Sequence, residues 1–377
     1  MENKKVSGNK ISALIAFNIM GASIVISSGK KAEQDSWIAT SLATGAALLL
    51  AWLYSAILGL YPGKGMFEIF QNVFGSVGGK IVCGLYALYA VLLGAKTFYI
   101  FNEFIQIVNL DKTPVMAIML LSVLTIAWQA RCGLRNMGNC AKVLLPFILI
   151  FVVVTCVLGI RFMNPAHICP VLGSGPKKLA DGTVVALSIS FGDIVLCMSF
   201  FGETETKKKP FRIMANGILI GGSFFTVTML RNLLILGAPT NDMFIFSSYD
   251  AVGVISVGSF VTRISVLVGI NLVLAGVLKV STLVYAAATG TSSILGLKNR
   301  LAPTMPLCLL MGTLSCMLFQ DVLAAIEFNR YMPLLSMPVQ IVIPLLTLIV
   351  GKARAASRAA GGKAGSGHSA KDCTEPG

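Results

Sequence analysis

The chain has 377 residues, 55% of them hydrophobic and only 12% charged, with a mean hydropathy of +0.81. Soluble domains carry about 25% charged residues, so the composition excludes a soluble globular protein and places this one in a bilayer. The net charge of +14 needs no nucleic-acid partner, because a basic excess on the loops facing anionic lipid accounts for it.

Segments of about 20 apolar residues span the hydrocarbon core. Ten are expected, at 11–29, 38–60, 81–107, 114–130, 141–161, 184–202, 214–237, 261–290, 303–320 and 333–350. Residues 1–10 form a short N-terminal arm. The first span follows Lys4, Lys5 and Lys10, and "SSGKKAEQDSW" behind it has no small-residue cleavage site, so it reads as a span rather than a signal peptide. With ten spans, the excess of lysine and arginine puts both termini in the cytoplasm. The polar, basic stretch 351–377 is expected to be a disordered cytoplasmic tail.

Within the first span, "NIMGASIVISSG" carries Gly21, Ala22 and Ser23. A helix that unwinds there frees amides and carbonyls for a ligand, and such backbone is tolerated at membrane depth only inside protein or beside water. The alternative is a small-residue packing face. Span three carries Lys96 at mid-membrane. The external loop 162–183 is rich in Gly, Pro and Ser and reads as an ordered excursion.

Span six, "LSISFGDIVLCMSFFGE", places Phe191, Gly192 and Asp193 together in apolar surroundings. A carboxylate at mid-bilayer costs about 2.5–3.5 kcal/mol, and intramembrane charge marks function by default. Asp193 binds a ligand amine, carries a proton or makes a structural ion pair. The "GILIG" of span seven, Gly217 to Gly221, is a helix-packing pattern.

Span eight holds Lys279, with Ser281 and Thr282 one turn on. Lys96 and Lys279 occupy equivalent places in two five-span halves, and either is a partner for Asp193. In folds of this architecture spans one and eight often frame a sodium site, where Lys279 would stand as a fixed ammonium. Interruptions at matching positions of spans one and six point to a 5+5 inverted-repeat, all-α membrane protein with helices 1 and 6 broken.

The nine cysteines read as buried hydrophobes and the two histidines form no cluster, so no metal and no cofactor is expected. Nucleotide-binding, serine-hydrolase and zinc-peptidase motifs are absent, which argues against an enzyme.

Several stretches in order resemble the spore germination permease family, the B subunits of nutrient germinant receptors. They are "NKISALIAFNIMGASIVISSGKKAEQDSWIATSLA" with Asp35-Ser36-Trp37, "GLRNMGNCAK", "ICPVLGSG", "SFGDIVLCMSFF", "LRNLLILG" and "DAVGVISVGSFVTRISVLVGINLVLAGVLKVSTLVY". The likeness covers about residues 10–350. The chain departs from the family's pattern at Ser27-Ser28, at Asp193 where Glu is common, and at Arg263-Ile264-Ser265.

The resemblance implies a LeuT-like fold of the amino acid–polyamine–cation superfamily. It also implies a place in the spore inner membrane beside a second membrane subunit and a lipoprotein, and a small nutrient, an amino acid, as the ligand that triggers germination. The alternative use of the same pocket is secondary transport of an amino acid, or conduction of ions or water.

Overall fold

The computed structural model describes residues 5–23, 30–109, 112–205, 209–255 and 262–366. Apart from one isolated bridge between Val6 and Thr204, all regular structure among them is helical. Helices are the expected solution in lipid, since each satisfies its backbone hydrogen bonds internally.

The first five spans are α1 (Gly8–Ser23), α2 (Ser36–Leu60), α3 (Met66–Asn109), α4 (Val115–Arg131) and α5 (Gly133–Gly159). α3 begins well before the expected span, as an extra helical stretch that turns at Gly75, whose φ of 80° suits a residue without Cβ. Span six is α6 (Pro176–Ala186), a π-turn over Leu187–Phe191, the four-residue α7 (Ile194–Cys197) and a tight 3-10 stretch, Met198–Glu203.

Span seven is α8 (Pro210–Leu236), and the short helices α9 (Ala238–Met243) and α10 (Ser247–Val254) lead towards α11 (Thr262–Leu295), which is span eight. Span nine is α12 (Thr304–Leu318), followed across a 105° bend by α13 (Val322–Glu327), which Asp321 caps by accepting from the Ala324 amide at 2.7 Å. Span ten is α14 (Met332–Met337), a second π-turn over Pro338–Val342, and α15 (Ile343–Ser366).

Seven of the described helical segments are long and apolar enough to cross a membrane, and the bent pair α12–α13 makes an eighth. α1 and α4, with 16 and 17 residues, are the shorter helices at positions one and four of the expected ten. Large apolar side chains such as Trp52, Trp128, Phe147 and Ile150 lie on the outside, as a lipid-facing surface requires. The chain is a multi-pass membrane protein.

The tail expected to be disordered from 351 is instead helical through Ser366, as a continuation of span ten. The alanine-rich "KARAASRAA" propagates an existing helix readily, whereas composition alone registers only its polarity. Residues 367–377 lie outside the described part.

Packing follows the small residues. A Cβ on Gly217 would stand 2.7 Å from Ile15 Cβ and from the Ser12 carbonyl, and one on Gly221 would stand 2.9 Å from Ile19 Cβ. The GxxxG pattern therefore seats α8 directly on α1. The two halves pair in equivalent ways: α1 packs on α11, and the last part of span six packs on α3, with α3 and α11 in long mutual contact.

Candidate functional site

The costly groups of three spans meet at one buried point. Asp193 follows the π-turn, where the chain departs from i→i+4 bonding: the Gly192 amide reaches back to the Leu187 carbonyl at 2.7 Å. Such turns re-aim side chains, often at functional sites. The Asp193 carboxylate accepts from Lys279 Nζ of α11 at 2.9 Å, and both side chains are about 2–3% exposed. The same ammonium donates to the Asn18 carbonyl of α1 at 3.3 Å, so it ties spans one, six and eight together.

Gly21 permits this. A Cβ there would lie 3.0 Å from Lys279 Cβ and 3.1 Å from the Ala275 carbonyl, so glycine lets α1 close onto α11 beside the lysine. The described helix α1 reaches Ser23, so the Gly21-Ala22-Ser23 triplet forms its last turn, where the break was expected; residues 24–29 are outside the description, as are the side chains of Ala22 and Ser23. Thr282 accepts from the Asn18 amide at 3.0 Å and donates to the Lys279 carbonyl at 2.7 Å. Ser281 is turned to its own helix, donating to the Val277 carbonyl.

Lys96 of α3 is buried and donates to Asn329 Oδ1, in the stretch after α13. It forms no ion pair among the described residues. Lys96, Asp193 and Lys279 all line one cavity of about 30 Å³, together with Gly21, Phe101 and Ile189. That is room for about one water. The second carboxylate oxygen of Asp193 has no partner among the described groups. Two ammonium groups and one carboxylate thus share one small cavity.

Phe191 does not line the cavity; it is buried against Phe225 of α8, ring centroids 6.2 Å apart. Gly192 faces the π-turn of span ten, where a Cβ would run into the Gln340 side-chain amide. Gln340 donates to Tyr89 Oη at 2.8 Å and to the Ser188 carbonyl at 3.0 Å, and its own carbonyl accepts from Tyr54 Oη at 2.7 Å. The two π-turns are therefore locked together by a polar network that residue spacing did not reveal. Asn18, Asn329 and Gln340 were the visible signals: buried amides in apolar spans are costly unless they are bonded.

The external loop and the start of α2 also join. The Asp35 carboxylate accepts from the Leu172 amide at 2.7 Å, the Ser174 amide at 2.9 Å and the Ser174 hydroxyl at 2.6 Å. The Asp35-Ser36-Trp37 and "ICPVLGSG" stretches are thus two halves of one contact. Glu203 accepts from Tyr285 Oη at 2.9 Å; residues 206–208, with Lys207 and Lys208, lie outside the description.

Comparison with solved structures supports the architecture. The Eremococcus coleocola manganese transporter aligns with a TM-score of 0.61 at 13% identity, over 91% of this chain and 84% of that one. A Na+-coupled sialic acid symporter in a substrate-bound outward-open state also gives 0.61, at 12% identity, over 90% and 80%. The fold is thus that of LeuT-like secondary transporters.

Among curated proteins, spore germination protein KB of Bacillus subtilis (strain 168) is 24% identical over 361 residues, 93% of this chain and 95% of the relative. The putative spore germination protein YfkT of the same organism is 21% identical over 333 residues, 86% and 89%. A family model described as "Spore germination protein" matches residues 5–323. With the transporter-like bundle and the ordered motifs in agreement, the chain belongs to the spore germination permease family.

Proposed function

We propose that this protein is the membrane subunit of a nutrient germinant receptor, and that it binds a small nutrient, an amino acid, in the cavity between α1, α3, span six and α11. In this reading it sits in the spore inner membrane with both termini cytoplasmic, beside a second membrane subunit and a lipoprotein. The observation that carries it is the charge set of the cavity: Asp193 with one oxygen unpartnered among the described groups, Lys279 already paired, and Lys96 in no ion pair among the described residues. A zwitterion complements that set, its ammonium on Asp193 and its carboxylate on Lys96. The backbone of Gly21, Ala22 and Ser23 and the Gly192 turn would line the approach.

The cavity is too small for an amino acid as it stands, so binding requires the surrounding side chains and helices to separate. A ligand that favours the separated state shifts the equilibrium by its differential affinity for the two states, and partner subunits would read that shift. Lys279 bridges Asp193 and the α1 backbone in the way a monovalent cation would, so the response should not need sodium.

The test is direct binding of labelled amino acids to the purified protein, in parallel with germination of spores complemented with wild type or Lys96→Met. We expect one or a few amino acids to bind equally in sodium and choline buffers. Lys96→Met should weaken binding about tenfold or more, the loss expected of one charge-assisted contact. Unchanged binding and germination in Lys96→Met would reject the site; strict sodium dependence would reject the cation-substitute role of Lys279. The LeuT-like fold favours a second reading, transport, and uptake of the bound amino acid into liposomes by the protein alone would support it.

A further inference from the structure

A second buried cation lies away from that cavity. Arg231 of α8 is 4% exposed, five residues before the end of the helix. Its Nε and Nη2 both donate to Asn232 Oδ1, at 3.2 and 2.7 Å, Nη1 donates to Thr155 Oγ1 of α5 at 2.7 Å, and Nη2 makes a long contact of 3.4 Å with the Ser248 carbonyl of α10. Every acceptor is neutral. No ion pair involves Arg231 among the described residues, and Asp250, the carboxylate of α10, interacts with Lys30 instead.

A buried charge is retained when something of opposite sign compensates it. A guanidinium has five N–H donors, and these bonds leave one hydrogen on Nη1 without an acceptor among the described groups. Beside it is a separate cavity of about 30 Å³, lined by Phe151, Phe224, Thr228, Arg231, Ser248 and Asn271 among others. Thr228 is itself 4% exposed, and its hydroxyl has no partner among the described groups. One surplus positive charge, one orphaned hydroxyl and a half-buried amide therefore face a space large enough for a single ion or water.

We infer that this cavity binds one small monovalent anion, chloride, held by Arg231 Nη1 and the Thr228 hydroxyl. As it stands, at about 30 Å³, the space matches a single monatomic ion. A water molecule would satisfy the hydroxyl but leave the charge uncompensated. A bound anion would compensate the guanidinium that links α5, α8 and α10, and would stabilise that end of the bundle.

The experiment measures the unfolding temperature of the purified full-length protein in detergent. Sodium chloride, bromide, sulfate and gluconate are titrated at constant ionic strength. Chloride and bromide should raise the transition saturably, gluconate should not, and sulfate should give only the non-saturating rise of an excluded salt. Thr228→Val keeps the charge and the volume; it should shift the chloride midpoint upward about tenfold, the loss of one hydrogen bond to an ion. Arg231→Gln should abolish the chloride response, and if that variant fails to fold, Thr228→Val carries the test alone. Identical melting in chloride and gluconate would overturn the proposal, as would an equal response to sulfate or a wild-type midpoint in Thr228→Val.

Discussion

Asp193 and Lys279 each carry a charge that a bilayer opposes, and their 2.9 Å contact is what makes both tolerable. Removing one partner of a buried pair leaves the other uncompensated, at about 3–5 kcal/mol. Asp193→Asn should therefore lower stability by roughly that amount, on the same principle, besides abolishing ligand response. The double variant Asp193→Leu/Lys279→Met should recover much of the stability but none of the response. Thermal unfolding of the wild type, Asp193→Leu, Lys279→Met and the double variant in detergent closes the cycle and gives the coupling directly. Additive losses, with no recovery in the double variant, would show that the pair is not energetically joined. At this scale the sequence was informative because charge in an apolar run is conspicuous. The neutral partners Asn18, Asn329 and Gln340 were legible only as amides in apolar spans, because the groups they bond depend on packing.

Among the elements, α1 and α8 depend on close approach. Helices in lipid gain nothing from hiding apolar surface from each other, so association rests on van der Waals packing and small residues. Gly221→Leu would drive a side chain into Ile19 and the Ala16 carbonyl. Overpacking typically costs about 1–3 kcal/mol, and we expect a lower unfolding temperature together with a displaced α1. Gly59→Leu, at a position where a Cβ would meet no atom within 4 Å, is the matched control and should be near neutral. Equal effects of both substitutions would remove packing as the reason for the GxxxG pattern. The pattern was legible in sequence; its partner helix was not, since a helix face does not say which of the other spans it meets.

Across the whole molecule, the Asp35 carboxylate joins the start of α2 to the loop before span six, two segments separated by about 140 positions in the chain. Three hydrogen bonds to one carboxylate, each charge-assisted, hold that loop over the end of the bundle. Asp35→Asn keeps the shape but loses the charge and one acceptor. It should raise proteolysis and hydrogen exchange of residues 171–175 selectively, while the membrane helices keep their protection. Exchange unchanged in the loop would deny Asp35 this role.

The sequence by itself determined that the chain is a helical membrane protein, that spans one and six are special, and that Asp193, Lys96 and Lys279 are the residues to watch. Hydropathy, glycine and intramembrane charge are local properties, readable one segment at a time. The tertiary structure decided that Lys279 rather than Lys96 pairs with Asp193, and that Phe191 and Ser281 turn away from the cavity. It also decided that span six is re-aimed by a π-turn meeting a second one in span ten. These outcomes depend on which helices touch and at what height, a choice set by packing among spans far apart in sequence.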